Sequence, residues 1–328
     1  MDFRGTAVRI AVALVALAVG AKVQAQSFET IAPDLHLLRG AFAPGQQPDG
    51  NTVMLRGRRG WIVIDSGRHE AHSQAILRHA SASGLPISDI VNTHWHLDHV
   101  SGNALLRRAY PDADVHASRA IVAAMDGFLA RYRRQLATLA ERHPASPEMP
   151  NWVAEMARID HGVLLHPTVP IVENARRRLA GRDLDIRLST DAATDGDVWV
   201  YDLASRTLIA GDLVTLPVPF LDTACPSGWR RVLEGLDDQP FTRLVPGHGA
   251  VMDRKGFRRY RAAFGRLLEC AGRGHRSAAQ CADAWVRDLG DLLQTDEQAR
   301  ARELLDYYIN ERLRGPGASA ECDQPGRR

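Results

Sequence analysis

The stretch Thr93-His94-Trp95-His96-Leu97-Asp98-His99 (residues 93–99) decides the fold. Three imidazoles and a carboxylate fall between positions 94 and 99. A lone histidine is more often a satisfied core or surface residue, but so dense a set has little use in packing. It suits a borderline metal such as zinc, which takes nitrogen and oxygen ligands. Asp89-Ile90-Val91-Asn92-Thr93 reads as a short strand running into His94. Residues two apart in an extended chain point the same way, so His94 and His96 are expected to converge from the strand end. A turn would then bring in Asp98 and His99.

Upstream, Thr52–Leu55 and Trp61–Asp65 read as a hairpin ending in Asp65-Ser66-Gly67, followed by a helix over His69–Ala82. That helix is expected to bury Ala71, Ala75, Ile76 and His79, and Gly84 with Pro86 ends it. Downstream, Ser118 to about His143 reads as one amphipathic helix stopped by Pro144. Strands follow at Leu184–Leu188, Val198–Tyr201, Thr207–Ala210 and Arg243–Val245, the last leading into Pro246-Gly247-His248-Gly249. Three helical stretches, Phe257–Gly272, Ser277–Leu289 and Glu297–Leu313, close the chain. The pattern is α/β, with buried strands flanked by helices.

The H-x-H-x-D-H run resembles the signature of the metallo-β-lactamase superfamily. Asn51-Thr52, Asp65-Ser66-Gly67, Ala210-Gly211-Asp212 and Pro246-Gly247-His248-Gly249 resemble its further landmarks in the same order, over about Phe28 to Phe264. The resemblance implies a four-layer αββα sandwich with metals at one edge and an appended C-terminal helical segment. It assigns His94 and His96 to a first metal site and Asp98, His99 and His248 to a second, with Asp212 between them. Alone, Asp212 would be read as a turn cap and His248 as a loop residue; the order of all six lifts them above that.

One departure matters. Where the family pattern has Gly-His-Thr-x-Gly-Asp, this chain has Ala192-Ala193-Thr194-Asp195-Gly196-Asp197. Ala193 stands in the histidine's place, and a methyl group cannot bind zinc. Three outcomes stay open: one metal, chiefly at Asp98, His99, His248 and Asp212; two metals, with water, Asp191 or Asp195 filling the gap; or a fold kept without catalysis.

The implied chemistry is hydrolysis by zinc-bound hydroxide, since zinc lowers the pKa of its water from about 16 to near 7. Asp98 is the candidate to orient that water and move its proton. Asp65 and Thr194 are candidate supports behind the ligands. The loop Leu216–Trp229, with Phe220, Asp222 and Trp229, is a candidate substrate mouth, or equally a proline-stiffened connector. The substrate expected is a small molecule carrying an ester, thioester, lactone or amide bond, β-lactams included. The alternatives are a non-catalytic periplasmic metal-binding protein and an iron-containing, oxidoreductase-type relative.

Composition sets the frame: 328 residues, 45% hydrophobic and 24% charged, are ordinary for a globular chain. Arg4, Arg9, the apolar run Ile10–Gly20 and Val23-Gln24-Ala25 read as an export signal over residues 1–25. Its apolar run is shorter than the roughly 20 residues that span a bilayer. Cleavage would leave a soluble periplasmic protein with no membrane attachment. It would also take the basic count from 41 to 38 and the acidic count from 39 to 38. A mature net charge of zero argues against nucleic acid as partner. Residues 26–256 are expected to form the main domain, 257–315 a helical extension packed on it, and 316–328 a flexible tail. The oligomeric state stays open.

None of Cys225, Cys270, Cys281 and Cys322 sits in a C-x-x-C, and in an oxidising compartment four cysteines suggest disulfides. A helix hairpin would bring Cys270 and Cys281 within bonding reach. Cys225 would then pair with Cys322.

Overall fold

The computed structural model describes residues 27–42, 45–315 and 322. The expected export signal and most of the expected tail lie outside them. The first sheet has seven strands in sequential order: β1 (Glu29–Ala32), β2 (Leu35–Leu38), β3 (Thr52–Arg56), β4 (Trp61–Ile64), β5 (Ile87–Val91), β6 (Asp114–Ser118) and β7 (Val169–Ile171). β1 to β4 pair antiparallel and β4 to β7 parallel. The second sheet has five strands, β8 (Ala175–Leu179), β9 (Arg182–Ser189), β10 (Asp197–Asp202), β11 (Thr207–Thr215) and β12 (Arg243–His248), of which only β11 and β12 run parallel.

Strand alternation makes the layers. Val53, Leu55, Ile62, Ile64 and Val91 meet Leu184, Ile186, Val198, Val200, Ile209 and Val245 between the sheets. Met54, Trp61, Val63, Ile87 and Ile90 point the other way, against helices α1 (Glu70–Ala82) and α3 (Asn103–Ala109), which supply Ala75, Ile76 and Leu106; the short α2 (Leu97–Val100) packs instead with Trp95 and Ile121. In β10, Trp199 and Tyr201 face outward while Val198 and Val200 face in. The result is the expected αββα sandwich.

The middle of the chain forms α4 (Ala120–Ala124), a π turn (Met125–Leu129), α5 (Ala130–Arg142) and α6 (Met149–Asp160). The single helix expected from Ser118 therefore starts two residues later and carries a π turn. Ile121, Leu129 and Leu136 are its buried stripe, while Leu139 is 40% exposed. On α1 the buried face is His72, Ser73, Ala75, Ile76 and Ala80, rotated from the expected one. Packing on the sheet set that face, because polar His72 finds a buried partner in Thr52.

The rest is α7 (Pro226–Asp237), α8 (Arg254–Gly272), α9 (Ala278–Leu289) and α10 (Thr295–Tyr308). Ser277 and Gln280 close a reciprocal capping box at the start of α9. These helices share one apolar cluster with the outer face of the second sheet, through Trp229, Phe257, Tyr260, Phe264, Trp285 and Leu305. They complete the fourth layer rather than stand apart from it. The disulfides Cys270–Cys281 and Cys225–Cys322 are both present.

Candidate metal centre

The ligand candidates gather at the carboxyl ends of the parallel strands. β5 ends at Val91, not Thr93, so His94 comes from a run of bends and His96 from the extended residue that starts α2, rather than both from a strand edge. The bends still bring His94 Nε2 and His96 Nδ1 to 2.9 Å. Asp98 and His99 sit on α2, Asp212 in the middle of β11, and His248 at the end of β12. His94, His96 and Asp212 form one cluster, and Asp98, His99 and His248 a second, each with ligand atoms within 4.8 Å. Asp212 joins them: its Oδ2 lies 3.7 Å from His94 Nε2, its Oδ1 3.4 Å from His99 Nε2 and 3.6 Å from His248 Nε2. Neither Asp191 nor Asp195 belongs to either cluster.

Two glycines permit the approach. Gly211 has φ 53°, and a Cβ there would fall 2.5 Å from Thr93 Cβ. At Gly247 a Cβ would lie 2.0 Å from Asp212 Oδ1. Asn51 Nδ2 donates to Pro246 O at 2.9 Å and Gly249 O at 3.0 Å, clasping the loop that ends in His248.

Hydrogen bonding fixes which imidazole atoms are free. Thr93 N and Oγ1 donate to the Asp65 carboxylate at 2.8 and 2.7 Å, so the Thr93 hydroxyl oxygen accepts from His94 Nδ1 at 3.0 Å. His99 Nδ1 donates to Asp65 Oδ2 at 2.7 Å. Both rings thus turn Nε2 towards the centre. Asp212 Oδ1, buried among them, has no hydrogen-bond partner. A buried carboxylate oxygen and facing lone pairs are costly unless a cation lies between them. The donor set of imidazoles and carboxylates fits a divalent metal of the zinc type.

The field is uneven. Burial alone would lower His99 and His248, but the carboxylates of Asp212 and Asp98, with Asp65 for His99, hold both above the ordinary histidine value. At His94 and His96 burial prevails, and His96 falls to about 4. Positive charge is therefore favoured most at the second cluster. Asp98 is held well below the carboxylate range, because His99, His248 and Arg68 outweigh its burial.

Of the supports read from sequence, Asp65 touches His99 directly. Thr194 does not reach a ligand: its backbone N and its hydroxyl donate to Asp197, at 2.9 Å each. Burial, with Asp212 as neighbour, pushes that carboxyl up to about 7. Phe220 lies edge-on to His96, ring centroids 4.9 Å apart. Asp222 faces the appended helices instead, accepting from Arg312 Nε at 2.6 Å and Tyr307 Oη at 3.3 Å. Trp229 is fully buried on α7, and its indole N–H donates to Leu213 O at 3.0 Å, so it lines no mouth. The helix was hidden because Pro217, Pro219 and Pro226 read as loop, yet proline is well placed in a first turn.

Sequence reasoning missed Arg68 and Glu155. Arg68 Nη2 lies 3.4 Å from Asp98 Oδ1 and its Nη1 2.6 Å from Glu155 Oε2; Glu155 in turn accepts from Arg158. Helix α6 thereby reaches under the metal centre. It also missed Thr223, whose Oγ1 is 2.9 Å from His96 Nε2. No spacing rule connects residue 223 with 96; only the fold does.

Comparison with known proteins agrees with the fold. A family profile described as the metallo-beta-lactamase superfamily matches residues 46–266. Over 67 residues the chain is 37% identical to an atrochrysone carboxyl ACP thioesterase of Passalora fulva, covering 20% of each protein. Over 48 residues it is 46% identical to a hydroxyacylglutathione hydrolase of a Synechococcus species, covering 15% of this chain and 19% of that one. The matches thus span about a fifth of the length of these curated relatives. Among solved structures, a metallo-beta-lactamase from Pontibacter korlensis superimposes with TM-score 0.54 at 17% identity, covering 73% of this chain and 99% of that one.

Proposed function

Because the chain belongs to the metallo-beta-lactamase superfamily, we propose that it is a metal-dependent hydrolase of a small molecule with an ester, thioester, lactone or amide bond. The observation that carries the reading is the convergence of His94, His96, Asp98, His99, Asp212 and His248 around Asp212 Oδ1, which no hydrogen bond satisfies. Asp98, His99 and His248 would hold one ion, with Asp212 bridging towards a weaker place at His94 and His96. Zinc is the ion the donor set favours. A bound divalent ion supplies Lewis acidity and makes water acidic enough to attack near neutral pH.

The chain's own groups do the rest. Asp98 stays ionised, with Arg68 on Oδ1 and His248 3.0 Å from Oδ2, and its remaining acceptor capacity orients the attacking water. Phe220 and Trp95 flank His96 with ring centroids 4.9 and 4.6 Å away, an apolar wall suited to an acyl or aryl group. The names of the two curated relatives support trying acyl compounds first. Export to the periplasm belongs to the same proposal. Its support is the Arg4 to Ala25 segment and two disulfides, which persist in oxidising compartments.

The test is metal analysis of the purified protein together with a hydrolysis screen over thioesters, lactones, simple esters and β-lactams. One or two zinc ions per chain, and turnover lost on chelation and in His248→Ala, are expected. Zinc-loaded protein that hydrolyses none of these classes, or turnover indifferent to chelator, overturns the reading. Iron without hydrolysis points to redox chemistry instead.

A further inference from the structure

The corner of the metal centre beside Ala193 is closed by Thr223. Its Oγ1 stands 3.1 Å from the Ala193 carbonyl oxygen and 2.9 Å from His96 Nε2, all buried. A carbonyl only accepts, and a threonine hydroxyl has one proton to give. With that proton directed to Ala193 O, the hydroxyl oxygen accepts from His96, so His96 carries its proton on Nε2. Turning the hydroxyl round would strip the buried Ala193 carbonyl of this bond. We propose that Thr223 is a positioning residue that fixes the tautomer of His96 and makes Nδ1 its ligating atom.

The position of Thr223 is itself secured on both sides. Asp222 accepts from Arg312 beyond α10, and Cys225 N donates to Ala192 O at 2.8 Å while its sulfur is bonded to Cys322. The appended helices thereby hold the loop that orients His96. Opposite, His94 Nε2 is unprotonated through Thr93, so the 2.9 Å between it and His96 Nδ1 separates two lone pairs. That arrangement receives a cation. The proposal rests on the reading of His94 and His96 as ligands, and the test separates the two.

In full-length protein labelled with nitrogen-15 histidine, long-range proton–nitrogen correlation distinguishes an Nε2–H from an Nδ1–H ring. Wild type and Thr223→Ser should show His96 as the Nε2–H tautomer, with and without added Zn2+. Thr223→Val should lose that preference and bind Zn2+ at the His94–His96 pair about 10- to 100-fold more weakly. Binding at Asp98, His99 and His248 should change little. Wild-type His96 found as Nδ1–H overturns the proposal even if the valine variant does not fold. A folded valine variant with unchanged tautomer and affinity overturns it too. Wild type with the Nε2–H tautomer that takes up no Zn2+ at this pair defeats the ligand premise rather than the hydrogen-bond one.

Discussion

Replacing Asp65 by Asn keeps the shape of the side chain and tolerates its φ of 61°, a left-handed conformation that Asn adopts readily. What changes is the hydrogen-bond inventory. The Asp65 carboxylate accepts from three donors, Thr93 N, Thr93 Oγ1 and His99 Nδ1, at 2.7–2.8 Å. An amide has only one accepting atom, so either rotamer sets an NH2 against at least one donor. With the oxygen on Thr93 N, the NH2 faces His99 Nδ1 and drives the ring's proton to Nε2, which blocks the lone pair His99 offers to the second cluster. With the oxygen on His99, the NH2 opposes the Thr93 N–H and disturbs the turn that carries His94. Losing such a partner lowers metal affinity about 10- to 100-fold, roughly 1.4–2.7 kcal/mol. Each lost hydrogen bond to a charged group weakens the metal-free fold by about 1.5–3 kcal/mol, so a fall of several kcal/mol is expected. Zinc affinity from competition with a chromophoric chelator, and denaturant unfolding of metal-free protein, give the two numbers. Asp65→Asn with wild-type zinc affinity would refute the claim that this carboxylate sets the His99 tautomer.

Ala193→His should raise zinc stoichiometry towards two per chain, while overpacking of this buried position costs about 1–3 kcal/mol of stability; unchanged stoichiometry in folded protein would mean that another residue already serves as the third ligand there. Arg182 donates twice to the fully buried side chain of Asp202 at 2.7 Å, and although burial opposes it, this partner and Ser205 hold the Asp202 carboxyl below its ordinary 3.8. Its stabilisation is therefore present above the unfolded value and lost as pH falls through the folded one. Arg182→Ala should cost up to about 3–5 kcal/mol at pH 7, with the deficit shrinking below pH 4, where Asp202 can protonate; a pH-independent deficit in denaturant titrations contradicts this. Reducing Cys270–Cys281 (separation 11) and Cys225–Cys322 (separation 97) should remove about 3 and about 5 kcal/mol in the chain-entropy model, loosening α8 to α10 without releasing metal; metal loss under reduction that spares the fold would show a thiol among the ligands.

The α/β layout and the His94–His99 cluster were legible in the residues, and the family resemblance they carry implied the sandwich and the remaining ligands. The density of His94, His96, Asp98 and His99 leaves little room for another use. The helix hairpin around Gly272 and Gly274 was legible for the same local reason, and with it the Cys270–Cys281 pair. Tertiary structure alone decided what stands behind the ligands. Arg68 meets Glu155 across 87 residues and His96 meets Thr223 across 127. Trp229, expected at a substrate mouth, went to the core, because α7 buries its apolar face on β11 and an indole must leave water to gain from packing. Asp222 left the mouth as well, drawn to Arg312 on a helix whose place no local pattern specifies. Periodicity encodes which way a side chain faces on its own element. A hydrogen bond between distant elements depends on where both backbones come to rest, and that is set by the whole packed core.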